Sequence, residues 1–397
     1  MKKSLINILF LFFFLPCMAQ QVHFESSLPA AFAKAKQQNK EVFVEYYNAN
    51  CPVCKKLEPV FSDSTLAAFY NSNFINYKLN TEDMKKEDSL FMKRNGLNPE
   101  SVPYFLFFDN DEHLVHYSGT RQDISYLVTA GQTAMDPQNR SATIPPKYNA
   151  GDRSIKTLYA YSNLLELYRN DSLRAIIAAQ LYDAFPKEQL GTEKSYIITK
   201  NAVTSIDNGF FRYWIKHPDA IKEFEKKPGS LHEVDVLGNI LLRSINSNER
   251  KGWDLNKISE VKQMISLTGL GDPNAFFWEQ ESGLLVKAGR SAEAMKIFDA
   301  IIKKDIESFP TAVYDIDYYL DLLSQKNDLL LVKPWIDKLE KSTTDNNEIA
   351  ELMYTRILYD KKIKDKKTAV ELGKQAREYY KARNIDPTKL EELLSGL

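Results

Sequence analysis

Between residues 22 and 134 short apolar runs alternate with amphipathic stretches, and the hydrophobic period changes from one to the next. Leu28, Ala31, Phe32 and Ala35 recur at helical spacing behind the capping residues Ser26 and Ser27. Glu41 to Tyr47 (EVFVEYY) is a short run of β-branched and aromatic residues and predicts a strand. A helix is expected to open at Cys51-Pro52-Val53-Cys54, and another to cover Ser64 to Tyr70. Phe74 to Leu79 (FINYKL) predicts a second strand, followed by a charged helix from Lys85 to Arg94. Tyr104 to Phe108 and Leu114 to Tyr117 flank Asp109-Asn110-Asp111-Glu112 and predict a hairpin. A helix over Ile124 to Thr133 completes the series. Alternating strands and helices closed by a hairpin predict an α/β layer arrangement.

Asp136 to Gly151 is rich in Pro, Asn and Ser and has no periodicity, so it is expected to be a linker. Beyond it the pattern is helical throughout. Helix starts are expected near 275, 291, 311, 329, 347 and 366, and alternate starts recur every 36 to 38 residues. That spacing predicts either degenerate helix-hairpin repeats of tetratricopeptide type or a plain helical bundle. The clusters Phe210-Phe211-Arg212-Tyr213-Trp214 and Phe276-Phe277-Trp278 fall at helical spacing and are read as core.

The N-terminus has the layout of a secretory leader. Lys2 and Lys3 form a positive start, Leu5 to Leu15 an apolar stretch, and Cys17-Met18-Ala19 a small-residue cleavage site. The expected organisation is a signal peptide over 1–19, an α/β domain over 20–135, a linker over 136–152 and a helical domain over 153–397. Export, to a periplasm, follows. Pro16 argues against acylation of Cys17, and no later stretch is apolar enough for stable membrane insertion. The net charge of −1 gives no electrostatic case for nucleic acid.

Without Cys17 the mature chain retains two cysteines, Cys51 and Cys54. A pair two residues apart closes almost no loop and adds little stability, so its use is chemical. The strand ending near Tyr47 and the turn after it bring Cys51 to a helix start, where free N–H groups favour a thiolate. Pro52 suits the first helical position. Cys51 would attack a disulfide and Cys54 would resolve the mixed species. A zinc site would need a second ligand pair, and none of the five histidines is spaced to supply one. His113 and His116 are read as surface residues on the hairpin.

These residues resemble the thioredoxin superfamily over Val22 to Thr133. Cys51-Pro52-Val53-Cys54 after a strand, Lys55, Pro59, Val102-Pro103 before YFLFF and Gly119 all fall at the family's spacing. The stretches around the motif look most like the periplasmic thioredoxin-like domain of the disulfide-reductant transporters. The resemblance implies a cis peptide before Pro103, with Val102 facing an extended substrate. Asn50, Pro52 and Val53 would border the same surface. It implies a proton-relay role for Glu45, where the family usually has Asp, and an ionic partner for it in Lys78. A solvent-facing Glu45 and Lys78 are the alternatives. Asn50 replaces the family's Trp before the first cysteine, which removes an aromatic wall.

The expected fold is thus an α/β thioredoxin-like N-terminal domain followed by an all-α helical-hairpin repeat or bundle domain. The expected activity is protein-disulfide reduction, with thiol- or disulfide-bearing proteins as substrates, a membrane electron donor as partner, and no cofactor. A redox-inactive adaptor built around the helical array is the competing reading, and a thiol peroxidase a third. The helical array is expected to position the client.

Overall fold

The computed structural model describes residues 21–225 and 233–396. The expected leader and Cys17 lie outside the described residues. Contacts divide the chain into two compact units, one up to Ser230 and one from Leu231 onward.

In the first unit, α1 (Leu28–Gln38) begins at Ser27, whose hydroxyl accepts from the Ala30 N–H. It ends at Asn39, a residue type that tolerates the left-handed conformation found there. Next come β1 (Glu41–Tyr47), α2 (Pro52–Lys55), α3 (Ser64–Asn73), β2 (Phe74–Asn80) and α4 (Lys86–Arg94). β3 (Tyr104–Phe108), β4 (Leu114–Ser118) and α5 (Ile124–Met135) complete the α/β part. The sheet order is β2-β1-β3-β4, with β1 parallel to β2 and the remaining pairs antiparallel.

β1 is central and buried on both faces, which accounts for the apolar residues on each of them, with Glu45 the buried exception. Val42, Val44 and Tyr46 point to one side, toward Phe32 of α1, Phe91 of α4 and Leu106. Phe43 points to the other side, against Tyr70, Phe105 and Phe107 at ring-centroid distances of 4.8, 5.1 and 5.3 Å. Strand alternation places Glu45 on this second face. Gly131 in α5 faces Phe69, where a Cβ would come within 2.6 Å of the ring, so glycine permits the close approach of α5 to α3.

The segment expected to be a linker is folded. It holds a 3-10 turn at Ser141–Thr143 and α6 (Ile144–Asn149), and Ser141 is buried against β4. The Ser141 hydroxyl meets His116 Nδ1 at 2.7 Å. His116 is therefore not the surface residue expected, whereas His113 is exposed. α7 (Ile155–Leu167), α8 (Asp171–Ala184), α9 (Glu193–Ala202), α10 (Gly209–Trp214) and α11 (Pro218–Ile221) follow within the same unit. Leu164 and Leu167 of α7 join the core of the Val42–Val44 face, and the Leu167 carbonyl accepts from the Asn98 N–H at 2.7 Å. The first helices beyond residue 152 thus pack into the α/β part. Phe210, Phe211 and Trp214 are fully buried, as expected of core residues.

The second unit is all helical: α12 (Glu233–Ile245), α13 (Leu255–Thr268), α14 (Pro273–Lys287), α15 (Ser291–Asp305) and α16 (Phe309–Leu322). After them come α17 (Lys326–Leu330), α18 (Lys333–Ser342), α19 (Asn346–Lys362), α20 (Lys366–Arg383) and α21 (Thr388–Leu394). The helix expected near 329 is two helices, because Pro334 suits a new first turn and not a helix interior. Phe298, Ile316, Tyr319, Ile336 and Ile357 form the centre of this unit's core. Among the described residues, no helix is long and apolar enough to cross a membrane.

Candidate active site

β1 ends at Tyr47, and the chain turns so that the Cys51 N–H donates to the Asn48 carbonyl at 3.1 Å. Cys51 then caps α2, its sulfur accepting from the Cys54 N–H at 3.3 Å. Both cysteines are free thiols. The helix is shorter than the motif suggested, at 4 residues, and is followed by a 3-10 turn at Glu58–Ser62 that contains Pro59. With so short a helix the macrodipole is small, so the local N–H groups at the cap act on the sulfur directly.

The two thiols differ. Cys51 is half-buried and Cys54 buried. Burial raises the Cys51 pKa, but the Cys54 thiol and the Cys54 and Val53 N–H groups outweigh it, and the net shift is downward. Cys54 is pushed up to about 11, first by burial and further by the charges of Cys51 and Glu45. One sulfur is thus prepared as an accessible nucleophile and the other is held protonated in reserve.

Glu45 is 1% exposed. Burial pushes its carboxyl up to about 7 while Lys78 pulls the other way. The parallel register pairs Glu45 with Lys78 across β1 and β2. The Lys78 ammonium is 3.3 Å from Glu45 Oε2, within ion-pair range, but its hydrogen bond goes to Glu58 Oε1 at 2.7 Å. The rings of Phe24, Phe61 and Tyr47 surround that ammonium at 4.9, 5.2 and 5.5 Å. Burial alone would lower the Lys78 pKa, but the two carboxylates more than offset it and keep the lysine charged. Glu58, Phe24 and Phe61 were not singled out from sequence. The available signal was the position of Glu58 and Phe61, one and two turns beyond Cys54.

Val102–Pro103 is a cis peptide that leads directly into β3. Tyr104 pairs with Tyr46, which places this loop at the sheet end from which the Cys51 loop departs. A family model described as thioredoxin-like matches residues 23–110. The N-terminal domain is thioredoxin-like. Among solved structures, the chain is similar to the solution structure of a candidate disulphide-isomerase from Bacteroides thetaiotaomicron. That similarity is 28% identity over 30% of this chain and 96% of that chain, with a TM-score of 0.26. No curated protein matches.

On the surface of the thioredoxin-like domain Pro52 is exposed and Val53 is 50% exposed. Asn50 is exposed and its side-chain amide donates to Glu82. Val102 and Pro103 are half-buried. Among the described residues, no group of three or more His, Cys, Asp or Glu side chains could hold a metal ion.

Proposed function

We propose that this chain is an exported thiol–disulfide oxidoreductase that reduces disulfides of client proteins. The observation that carries the reading is the asymmetry of the pair: an accessible Cys51 with a lowered pKa beside a buried Cys54 pushed up to about 11. The Cys51 thiolate attacks one sulfur of the client disulfide, the client S–S bond breaks, and the other client sulfur leaves as a thiolate. Cys54 then gives its proton to the Glu45 carboxylate and attacks Cys51 Sγ. An intramolecular disulfide forms and the second client sulfur departs as a thiolate.

The client has gained two electrons and the domain has lost them, so a dithiol donor must reduce it again. On the exported side a membrane electron carrier is the expected source. A carboxyl near pH 7 is suited to taking and returning that proton at neutral pH. Lys78 holds Glu45 and biases its charge. Val102, Pro103, Pro52, Val53 and Asn50 provide the surface along which an extended client lies, and the helical half presents the client. The leader-like residues 1–19 support export.

The reading is tested by thiol trapping of Cys51 and Cys54 in a glutathione or dithiothreitol series. A potential near thioredoxin's, about −270 mV, is expected of a reductant. A value near −120 mV would reverse the direction of electron flow. No dithiol–disulfide transition at all would move the function to the helical array, as an adaptor. N-terminal sequencing of the exported protein is expected to find Gln20 first.

A further inference from the structure

A cavity of about 740 Å³ lies beside β4, enclosed by residues of α5, α7 and α9. That volume is within the range of ligand pockets. Ser101, which is exposed and two residues before Pro103, lines it together with Gly119. The cavity therefore reaches the loop that carries Val102 and Pro103. Its walls include the rings of Tyr104, Tyr117, Tyr126 and Tyr159.

The polar groups in it are hydroxyls, side-chain amides, one imidazole and one carboxylate. Asn163 Oδ1 is buried and has no hydrogen-bond partner. The Tyr159 hydroxyl accepts from Asn201 Nδ2 at 2.8 Å. Glu166 is the one carboxylate in the lining, and no lysine or arginine joins it. Its Oε1 accepts from the Tyr104 hydroxyl at 3.2 Å and its Oε2 from Arg174 at 3.2 Å, which leaves lone pairs on both oxygens. Arg174 is buried behind it and does not line the space. His116 is held neutral, its pKa lowered to about 4 by burial.

We propose that this cavity is a subsite for a cationic side chain, arginine or lysine, close to the reacting cysteine of the client. The proposal rests on the disulfide-reductase reading for its placement on the client. Because Arg174 already neutralises Glu166, the attraction comes from four tyrosine rings and the remaining lone pairs of Glu166, and not from net charge. An arginine fits these best, since its planar head stacks on aromatic faces while its N–H groups reach oxygens at the rim of the plane. An anion would meet no lysine or arginine in the lining.

The test uses the full chain and extended peptides in which serine replaces the client cysteine and the neighbouring residue is Arg, Lys, Leu or Glu. Affinities are read by calorimetry, and reduction of 2-hydroxyethyl disulfide, too small to reach the cavity, is measured in parallel. Arg and Lys peptides are expected to bind about tenfold more tightly than Leu or Glu peptides, the size of one desolvated cation–π contact. Tyr159→Leu, which removes a ring from the wall, and Ala160→Trp, which fills the space, are each expected to bring that ratio below about threefold. Both should leave reduction of the small disulfide unchanged, which also shows that they fold. Equal binding of the Arg and Glu peptides by the wild-type chain overturns the subsite, as does a preference that survives both substitutions. Loss of small-disulfide reduction in the wild-type chain would instead sink the redox reading, while the binding ratio still decides the cavity's selectivity.

Discussion

Glu45 in the sheet and Asp315 on α16 are each 1% exposed, and burial pushes both carboxyls up to about 7. Their surroundings differ. Glu45 has the Lys78 ammonium at 3.3 Å, and its charge acts on the Cys54 thiol. Asp315, like Glu45, has a buried oxygen with no hydrogen-bond partner, but the charges that perturb it, Asp305 and Glu279, are both acidic. A raised pKa therefore does not mark a catalytic acid by itself. A proton acceptor is useful where a cation steadies it and a group needing deprotonation is beside it. In the helical unit the same shift is a cost to the fold.

Substitution separates the role of Glu45 from that of Asp315. The largest effect is expected at the sulfurs. Cys51→Ser should reduce client-disulfide turnover by more than about 10³-fold, and Cys54→Ser should accumulate a mixed disulfide that is visible after acid trapping. Next is Glu45→Gln, expected to slow the resolving step about 10- to 100-fold and to remove the rate limb near pH 7. Asp315→Asn should leave both steps within about twofold, and an equal loss from the two substitutions would dissolve the contrast drawn above.

The pH dependence of stability follows from both carboxyls alike. A carboxyl with a raised folded-state pKa contributes stability that is complete below its unfolded pKa and is lost as pH rises through the folded value. Wild-type stability should therefore decline between about pH 4 and pH 7 on account of both Glu45 and Asp315. Asp315→Asn should recover about 1–3 kcal/mol at pH 8 and almost nothing at pH 4, as measured by denaturant melts. The smallest effect is expected for Glu58→Gln. Glu58 adds negative charge near Glu45 and draws the Lys78 hydrogen bond to itself, so its loss should lower the Glu45 limb by about half a unit.

Several of these features were legible in the sequence for specific physical reasons. Runs such as EVFVEYY and YFLFF are buried on both faces, and their β-branched and aromatic residues marked them as strands. The two-residue spacing of Cys51 and Cys54 spoke of chemistry before any fold was known. The contact between Glu45 and Lys78 depends on parallel register between strands 33 residues apart, which periodicity does not encode, and only the family resemblance suggested it. His116 was misread because alternation along β4 gives no sign that Ser141 will cover that edge. The loop between α5 and α7 looked like a linker because prolines and asparagines predict an absence of long helices, and a 3-10 turn with one short helix satisfies that composition equally well. Pro334 was present to be read as a break within the helix expected near 329.

The insertion of Leu164 and Leu167 into the core shared by Val42, Val44 and Leu106 bears on modularity. A fragment cut at residue 135 or 152, as the composition invites, would lose both leucines and the Leu167 carbonyl that accepts from Asn98, and would expose an oily patch on the sheet. The thioredoxin-like domain, cut at that boundary, would need a replacement for α7. Any shuffling of this chain has to move the sheet and its first helical neighbours as one piece.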